Sequence, residues 1–581
     1  MERKLLLVFA LTFLVIMLFQ PLLKKYGPKP PATKPETAQQ TTPSAAAPPE
    51  SSDTQSHSTA VEKAPSTARA SANATSAHLQ AASEAETVVD NSVYRIVFTN
   101  RGGRVKSWVL KKFTDDKGGQ LELVNTAASE KFGYPLSIFT YDETLRNKLN
   151  SALFVSDGNS ITAPGEIRFT YDDGQVSAQK SYKFDRNSYV VEVNTAVQQN
   201  GSAITAFPMW PSGFGSDSTG PQYATGQVIY QYDDKVERLA IKKISGNATL
   251  PGPFSWAGIS DQYFAAVFLP QSSQSTVMVT LRNLIEIPHN ASDANNKQLD
   301  KIDILGAAVG NPHGPTAARL YVGPKALADL EAVSVPGMTG AEPDLRAIID
   351  FGWLGIIARP LFLWLKWMYS HIVGNWGWAI LLQTLIINLA LLPLRLSQMK
   401  SMLKMQRVAP QIKSIQEKYK KYSLRDPRKA AMNEEISALY KTEGVNPAGG
   451  CLPLVIQMPF LFAYYRMLNV AMDLRHAPWM WVHDLSAPDP YHILPVAIIV
   501  TMLIMQRMTP QAGMDPAQQK MMNVMMPGML GIMSWNLPAG LGLYWSAGQV
   551  ISIVQQSIMN RTSLGREMRE MMAKRARKKE K

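Results

Sequence analysis

Two sets of polar residues interrupt long apolar runs at helical spacing. Thr384, Asn388, Leu391 and Arg395 stand at i, i+4, i+7 and i+11 around the run 376–394, and Trp545, Gln549, Ser552 and Gln556 repeat that spacing in the run 541–559. At about 3.6 residues per turn each set lies on one helix face. Hydroxyl, amide and guanidinium groups in this pattern do no covalent chemistry. They offer hydrogen bonds inside an apolar environment, where each unsatisfied backbone group costs several kcal/mol. Two uses fit: glue between helices, or the wall of a hydrated groove that accepts a polar chain. Gln457, near the start of a third apolar run, is a further amide for such a wall.

Other chemistry lacks its residues. An intramembrane protease needs an Asp dyad, a Ser–His pair or a His-Glu metal motif in the apolar runs, and the sequence has none there. A polytopic transporter or channel wants paired ionisable groups or broken helices in repeated halves. No repeat is visible, and no Asp or Glu falls in the central part of the last five runs. His476, His483 and His492 lack metal-ligand spacing. No catalytic residue, metal or cofactor is expected. Cys451 is the only cysteine, which excludes an intramolecular disulfide.

The elements that would position these residues follow from patterning along 581 residues of net charge +13. Residues 1–26 hold the apolar run Leu5–Leu23 behind Arg3 and Lys4, with no small-x-small cleavage site, and predict an uncleaved transmembrane anchor. Residues 27–87, rich in Pro, Ala, Ser and Thr, predict a disordered linker. Residues 88–340 predict a large β-sandwich: Val93–Phe98 alternates, Asn100–Gly103 turns, and Val105–Leu110 resumes. Residues 344–372 place Trp353, Trp364 and Trp367 with Arg359 and Lys366 on a helical repeat, an amphipathic helix for a membrane interface. Residues 374–560 predict five spans at 376–394, 451–472, 492–508, 521–537 and 541–559, with a helical hairpin at 397–445.

The hairpin carries Lys413, Lys420, Lys421 and Arg425, and the tail 561–581 carries Arg575, Arg577, Lys578 and Lys579. Positive charge places both in the cytoplasm, which by span parity puts the N-terminus inside and residues of about 27–372 outside. These cations either keep a solvated surface soluble or dock on ribosomal RNA, anionic lipid or an acidic partner. Of 28 methionines, nine, from Met502 to Met533, crowd the fourth and fifth spans, as core filling or as an adaptable surface for apolar segments.

Ordered motifs join these parts. Asn446-Pro447-Ala448-Gly449-Gly450-Cys451 runs through Gln457-Met458-Pro459, followed by Trp481-Val482-His483-Asp484-Leu485-Ser486, Asp489-Pro490-Tyr491 and Pro538-Ala539-Gly540-Leu541-Gly542-Leu543-Tyr544-Trp545. With Gly374-Asn375-Trp376-Gly377, they resemble the YidC family of membrane protein insertases, in its Gram-negative form with a large periplasmic domain. The resemblance implies a multi-domain bacterial inner-membrane protein that inserts and folds other membrane proteins, alone or beside the Sec translocon. The partners it implies are nascent membrane proteins, the Sec translocon with its accessory subunits, the ribosome, anionic lipids and the signal recognition particle receptor. It favours the groove over glue, lined by Thr384, Asn388, Arg395, Gln457, Trp545, Gln549 and Ser552. One position departs from the family: many bacterial members carry a groove arginine where this chain has Asn388. Arg395, on the same face, is the expected substitute, although Pro393 lies between them. Arg466 falls opposite Gln457 and is expected to snorkel or to pair with another helix.

Overall fold

The computed structural model describes residues 78–115, 118–215, 226–233, 235–239, 241–272, 275–288, 299–333, 344–422, 426–445, 452–508, 521–563, 565–566 and 570. The expected anchor, most of the linker and the end of the basic tail lie outside the described residues.

Period-two alternation produces the strands. Tyr94–Thr99 buries Tyr94, Ile96 and Phe98 and exposes Arg95. The chain reverses through left-handed Gly102 (φ 71°) and Gly103 (φ 52°), and Arg104–Thr114 returns antiparallel with Trp108 opposite Ile96. With Glu86–Asp90, Gln120–Glu122 and Ser160–Thr162 these strands form a five-stranded sheet. A ten-stranded sheet runs in order through Lys235–Leu239, Gln227–Tyr232, Phe254–Ser260, Phe264–Pro270, Thr316–Pro324, Val190–Gln199, Val176–Phe184, Gly165–Asp172 and Val155–Ser156, with Ser202–Ala203 off that path. A third, five-stranded sheet holds Val277–Pro288 and Leu299–Gly310 at its centre. The expected sandwich is thus a β-rich region of three sheets.

Aromatic rings join the sheets. Phe98 lies 4.9 Å from Tyr182 and 5.8 Å from Phe169, and Trp108 lies 5.9 Å from Trp210. Among them Lys180 is fully buried, with Nζ donating to the carbonyls of Gly102 (2.9 Å), Gly103 (2.7 Å) and Leu136 (2.5 Å). Burial pushes its pKa well down. Three acceptors offset that desolvation and tie the Gly102–Gly103 turn to the neighbouring sheet.

Order begins before residue 88, a correction to the linker. Leu79 and Asp172 exchange backbone hydrogen bonds of 2.8 and 3.0 Å, and the Asn100 side chain holds Ala85 N at 2.8 Å and Ser83 O at 3.0 Å. Backbone pairing fixes this segment, and composition carries no sign of it.

Helices dominate the rest. Within the β-rich region lie α1 (Thr126–Phe132), α2 (Glu143–Ser151) and α3 (Leu327–Glu331). Then follow α4 (Gly355–Met368), α5 (Trp376–Ala390), α6 (Leu392–Lys418), α7 (Arg428–Thr442), α8 (Leu452–Val470), α9 (Ile493–Met508), α10 (Met526–Ser534) and α11 (Ala539–Arg561). The expected interfacial helix at 344–372 is two pieces, a 3-10 turn at Asp344–Ile348 and α4, extended by a π-helical turn at Tyr369–Val373. No single described helix is long and apolar enough to cross a membrane alone; α4 with its π turn and α5 reach that measure together, bent by 113°. The hairpin is α6 and α7, packed through Val408, Ile412, Ile436 and Leu439. Its first helix starts at Leu392, earlier than the expected 397.

Candidate functional site

Gly374, left-handed at φ 60°, ends the π turn, and Asn375 opens α5 by accepting a 3.2 Å hydrogen bond from Trp378 N. The helix stops at Ala390, and α6 begins at Leu392. Pro393 explains the break, because it has no N–H for the Leu389 carbonyl and its ring crowds the preceding turn. The expected unbroken span 376–394 is therefore corrected to two helices. The break does not separate the polar groups: Arg395 Nη2, on α6, donates to Asn388 Oδ1 at 3.1 Å.

From there a network runs inward. Asn388 Nδ2 donates to Thr384 O at 2.8 Å, and Thr384 Oγ1 to Ile380 O at 2.6 Å. The Asn388 carbonyl accepts from Gln555 Nε2 of α11 at 3.2 Å. The two helices meet at Gly548, where a Cβ would lie 3.8 Å from Asn388 Nδ2. Gln383 bridges two more helices, donating to Leu361 O of α4 at 3.0 Å and accepting from Tyr464 Oη of α8 at 2.7 Å. Tyr464 in turn stacks on Tyr544 of α11, with centroids 4.0 Å apart.

The structure thus joins Thr384, Asn388 and Arg395, and buries Ser552 on the α11 face that carries Gln555. Trp545 and Gln549 are half-buried and outside this network. The side chain of Gln457 lies outside the described residues. Gln383, Gln555 and Tyr464 were absent from the expected wall. An amide within an apolar run was the available signal for the two glutamines. Of the expected cytoplasmic cations, Lys413 pairs with Glu417 at 3.5 Å, Lys420 and Lys421 are exposed, and Arg425, Arg575, Arg577, Lys578 and Lys579 lie outside the described residues. Arg466 pairs at 2.8 Å with Asp350, which lies not on another helix but in the connection between the 3-10 turn and α4.

Two groups at this site are incompletely partnered. Gln555 Oε1 is buried without a hydrogen-bond partner among the described residues, an acceptor that water or a peptide N–H would fill. Arg395 is half-buried and pairs with no carboxylate among the described residues. The surroundings are inverted relative to a protein in water. Asn388 is 5% exposed beside Leu389 at 52%, and Gln555 is 7% exposed beside Val554 at 52%.

Polar inside and aliphatic outside is the reverse of a helical bundle in water, and this bundle follows a β-rich domain. Family models agree: residues 367–566 match the 60Kd inner membrane protein, and residues 86–364 match the YidC periplasmic domain. The membrane protein insertase YidC of Cupriavidus necator is 35% identical over 491 residues, covering 79% of this chain and 82% of that protein. Its counterpart in Geobacter metallireducens is 33% identical over 499 residues, covering 83% and 86%. A crystal structure of an active YidC insertase with its first transmembrane domain resolved aligns over 84% of this chain and 95% of that one, at 20% identity and a TM-score of 0.34. By sequence identity to these relatives, the chain belongs to the YidC family of membrane protein insertases.

Proposed function

We propose that this protein inserts and folds nascent inner-membrane proteins, with no covalent catalysis, along the polar face shared by α5, α6 and α11. The observation that carries this reading is the chain of contacts from Arg395 through Asn388 to Gln555, inside a bundle with an aliphatic exterior. A translocating polar segment exchanges water for these groups one at a time, which lowers the cost of entering hydrocarbon. Arg395 supplies the positive potential, and Asn388 orients its guanidinium. A cation at the junction of α5 and α6 attracts acidic segments at the cytoplasmic entrance, where desolvation costs less than at the bilayer centre. The seven lining residues Thr384, Asn388, Arg395, Gln457, Trp545, Gln549 and Ser552 are extended by Gln383 and Gln555.

In this reading the N-terminal anchor and five C-terminal spans place both termini in the cytoplasm and residues of about 27–372 in the periplasm. The basic hairpin and tail meet the ribosome, anionic lipids and the signal recognition particle receptor. The Sec translocon and its accessory subunits share clients with the bundle. The test is insertion into reconstituted vesicles of two clients that differ only in acidic or neutral translocated tails. Arg395→Gln lowers insertion of the acidic client about tenfold, the scale of one charge-assisted hydrogen bond, and spares the neutral one. Equal insertion of both clients by the variant and the parent would remove Arg395 from the mechanism.

A further inference from the structure

A cavity of about 90 Å³ lies in the β-rich domain, lined in part by Lys112, Asn187, Ser188, Tyr189 and Asp329. Three of these groups are unspent. Tyr189 is 6% exposed, and its hydroxyl is buried with no hydrogen-bond partner among the described residues. Asp329, on α3, is half-buried and makes no hydrogen bond or ion pair with a described residue. Lys112 is exposed and likewise unpaired among the described residues, whereas its neighbour Lys111 is held by Asp90 and the Asn91 carbonyl. Lys112 and Asp329 feel each other's charge yet do not close into a salt bridge across the cavity.

A buried hydroxyl without a partner is costly, and a half-buried carboxylate facing an ammonium at a distance is a pair held open. Burial raises the pKa of Asp329, and Lys112 opposes that rise. The charge inventory selects the ligand class. A simple anion would be repelled by Asp329 and a simple cation by Lys112. A metal ion would want more than one carboxylate. A molecule with an ammonium at one end and a phosphate at the other satisfies both.

We propose that this cavity binds an ammonium–phosphate zwitterion of the phosphoethanolamine type, its ammonium on Asp329 and its phosphate on Lys112. Its place in the fold favours a lipid head group as the source. Asp329 also feels Lys366 of α4 and Asp473, which pair at 3.8 Å. Helix α4 and the turn before it expose Trp353 and Ile356 at 86% and 85%, with Trp367 beyond them, as at a membrane surface. The bound head group would tether the β-rich domain to the outer leaflet.

The experiment uses the full-length protein in nanodiscs of mixed phosphatidylethanolamine and phosphatidylglycerol. Lipid retained after detergent extraction is counted by native mass spectrometry, and O-phosphorylethanolamine is titrated calorimetrically. Phosphatidylethanolamine is retained over phosphatidylglycerol. Asp329→Asn and Lys112→Gln each cut that retention about tenfold, with melting curves unchanged. Calorimetric binding of O-phosphorylethanolamine, lost in Asp329→Asn, without lipid selectivity supports the same site with a free zwitterion as occupant. Equal retention of both lipids, with no calorimetric binding and no effect of Asp329→Asn, overturns the proposal. Should Lys112→Gln unfold the domain, Asp329→Asn, which keeps the shape of the side chain, still decides.

Discussion

The β-rich domain and the helical bundle bury opposite things. In the domain Phe98, Trp108, Tyr182 and Phe184 are shielded and the strands turn their charged residues outward. In the bundle Gln383, Thr384, Asn388 and Gln555 are shielded, while Leu389, Val550, Val554 and Ile558 face out. The same rule produces both patterns, since each surface resembles its solvent. The domain even buries a lysine, Lys180, but its Nζ is held by three carbonyls. In the bundle Arg395 meets no carboxylate among the described residues. The three contacts of Lys180 tie two sheets together, whereas in the proposed function the cation of Arg395 is kept for a client.

The comparison can be broken from either side. Phe98→Ala removes a ring that touches Tyr182, Phe169 and Phe184 and should destabilise the domain by about 3–5 kcal/mol. Chemical denaturation of the detergent-solubilised full-length protein, followed by domain tryptophan fluorescence, measures that loss. Ile558→Arg on the outer face of α11 places a charge in lipid at a cost of about 2–3 kcal/mol. It should lower the membrane-integrated fraction in alkaline extraction, whereas the same change at an exposed strand position such as Arg95 in the domain is already the native residue. Retention of full integration would contradict a lipid-facing exterior.

Much of this division was legible in the sequence. Alternation around Asn100–Gly103 gave the strands and turn, and Thr384 and Asn388 stood out as polar residues in an apolar run. The number of sheets was not legible, because alternation reports a buried face and not its neighbour. Neither was the rotation of α11. Counting from Trp545 selected Gln549, but the approach of α11 to α5 at Gly548 turns Gln555 inward instead. The break at Leu391 was half legible in Pro393. Sequence spacing predicted Arg395 on the Asn388 face, and the structure reaches that juxtaposition across a helix boundary.

A subtler contrast is titration. Lys325, fully buried at the end of the strand Thr316–Pro324, donates to Asp261 O at 2.8 Å. Burial lowers its pKa from 10.5 to about 8, partly opposed by Asp261. Between these values the unfolded chain holds a proton that the folded domain has released, so this lysine's contribution to stability rises with pH across that window. The gain is on the order of 1–3 kcal/mol. Denaturation curves at pH 7.5 and 10 should show the rise, and Lys325→Met should flatten it relative to the parent.

The most direct test of the polar face is site-specific photocrosslinking to a ribosome-bound nascent membrane protein. Probes replace Asn388 and Gln555 inside the bundle, with Val554 as the outward control. The inward positions should yield adducts with the nascent transmembrane segment, and Val554 should yield far fewer. Failure of both inward positions, with the client captured at Val554, would contradict a client path along this face.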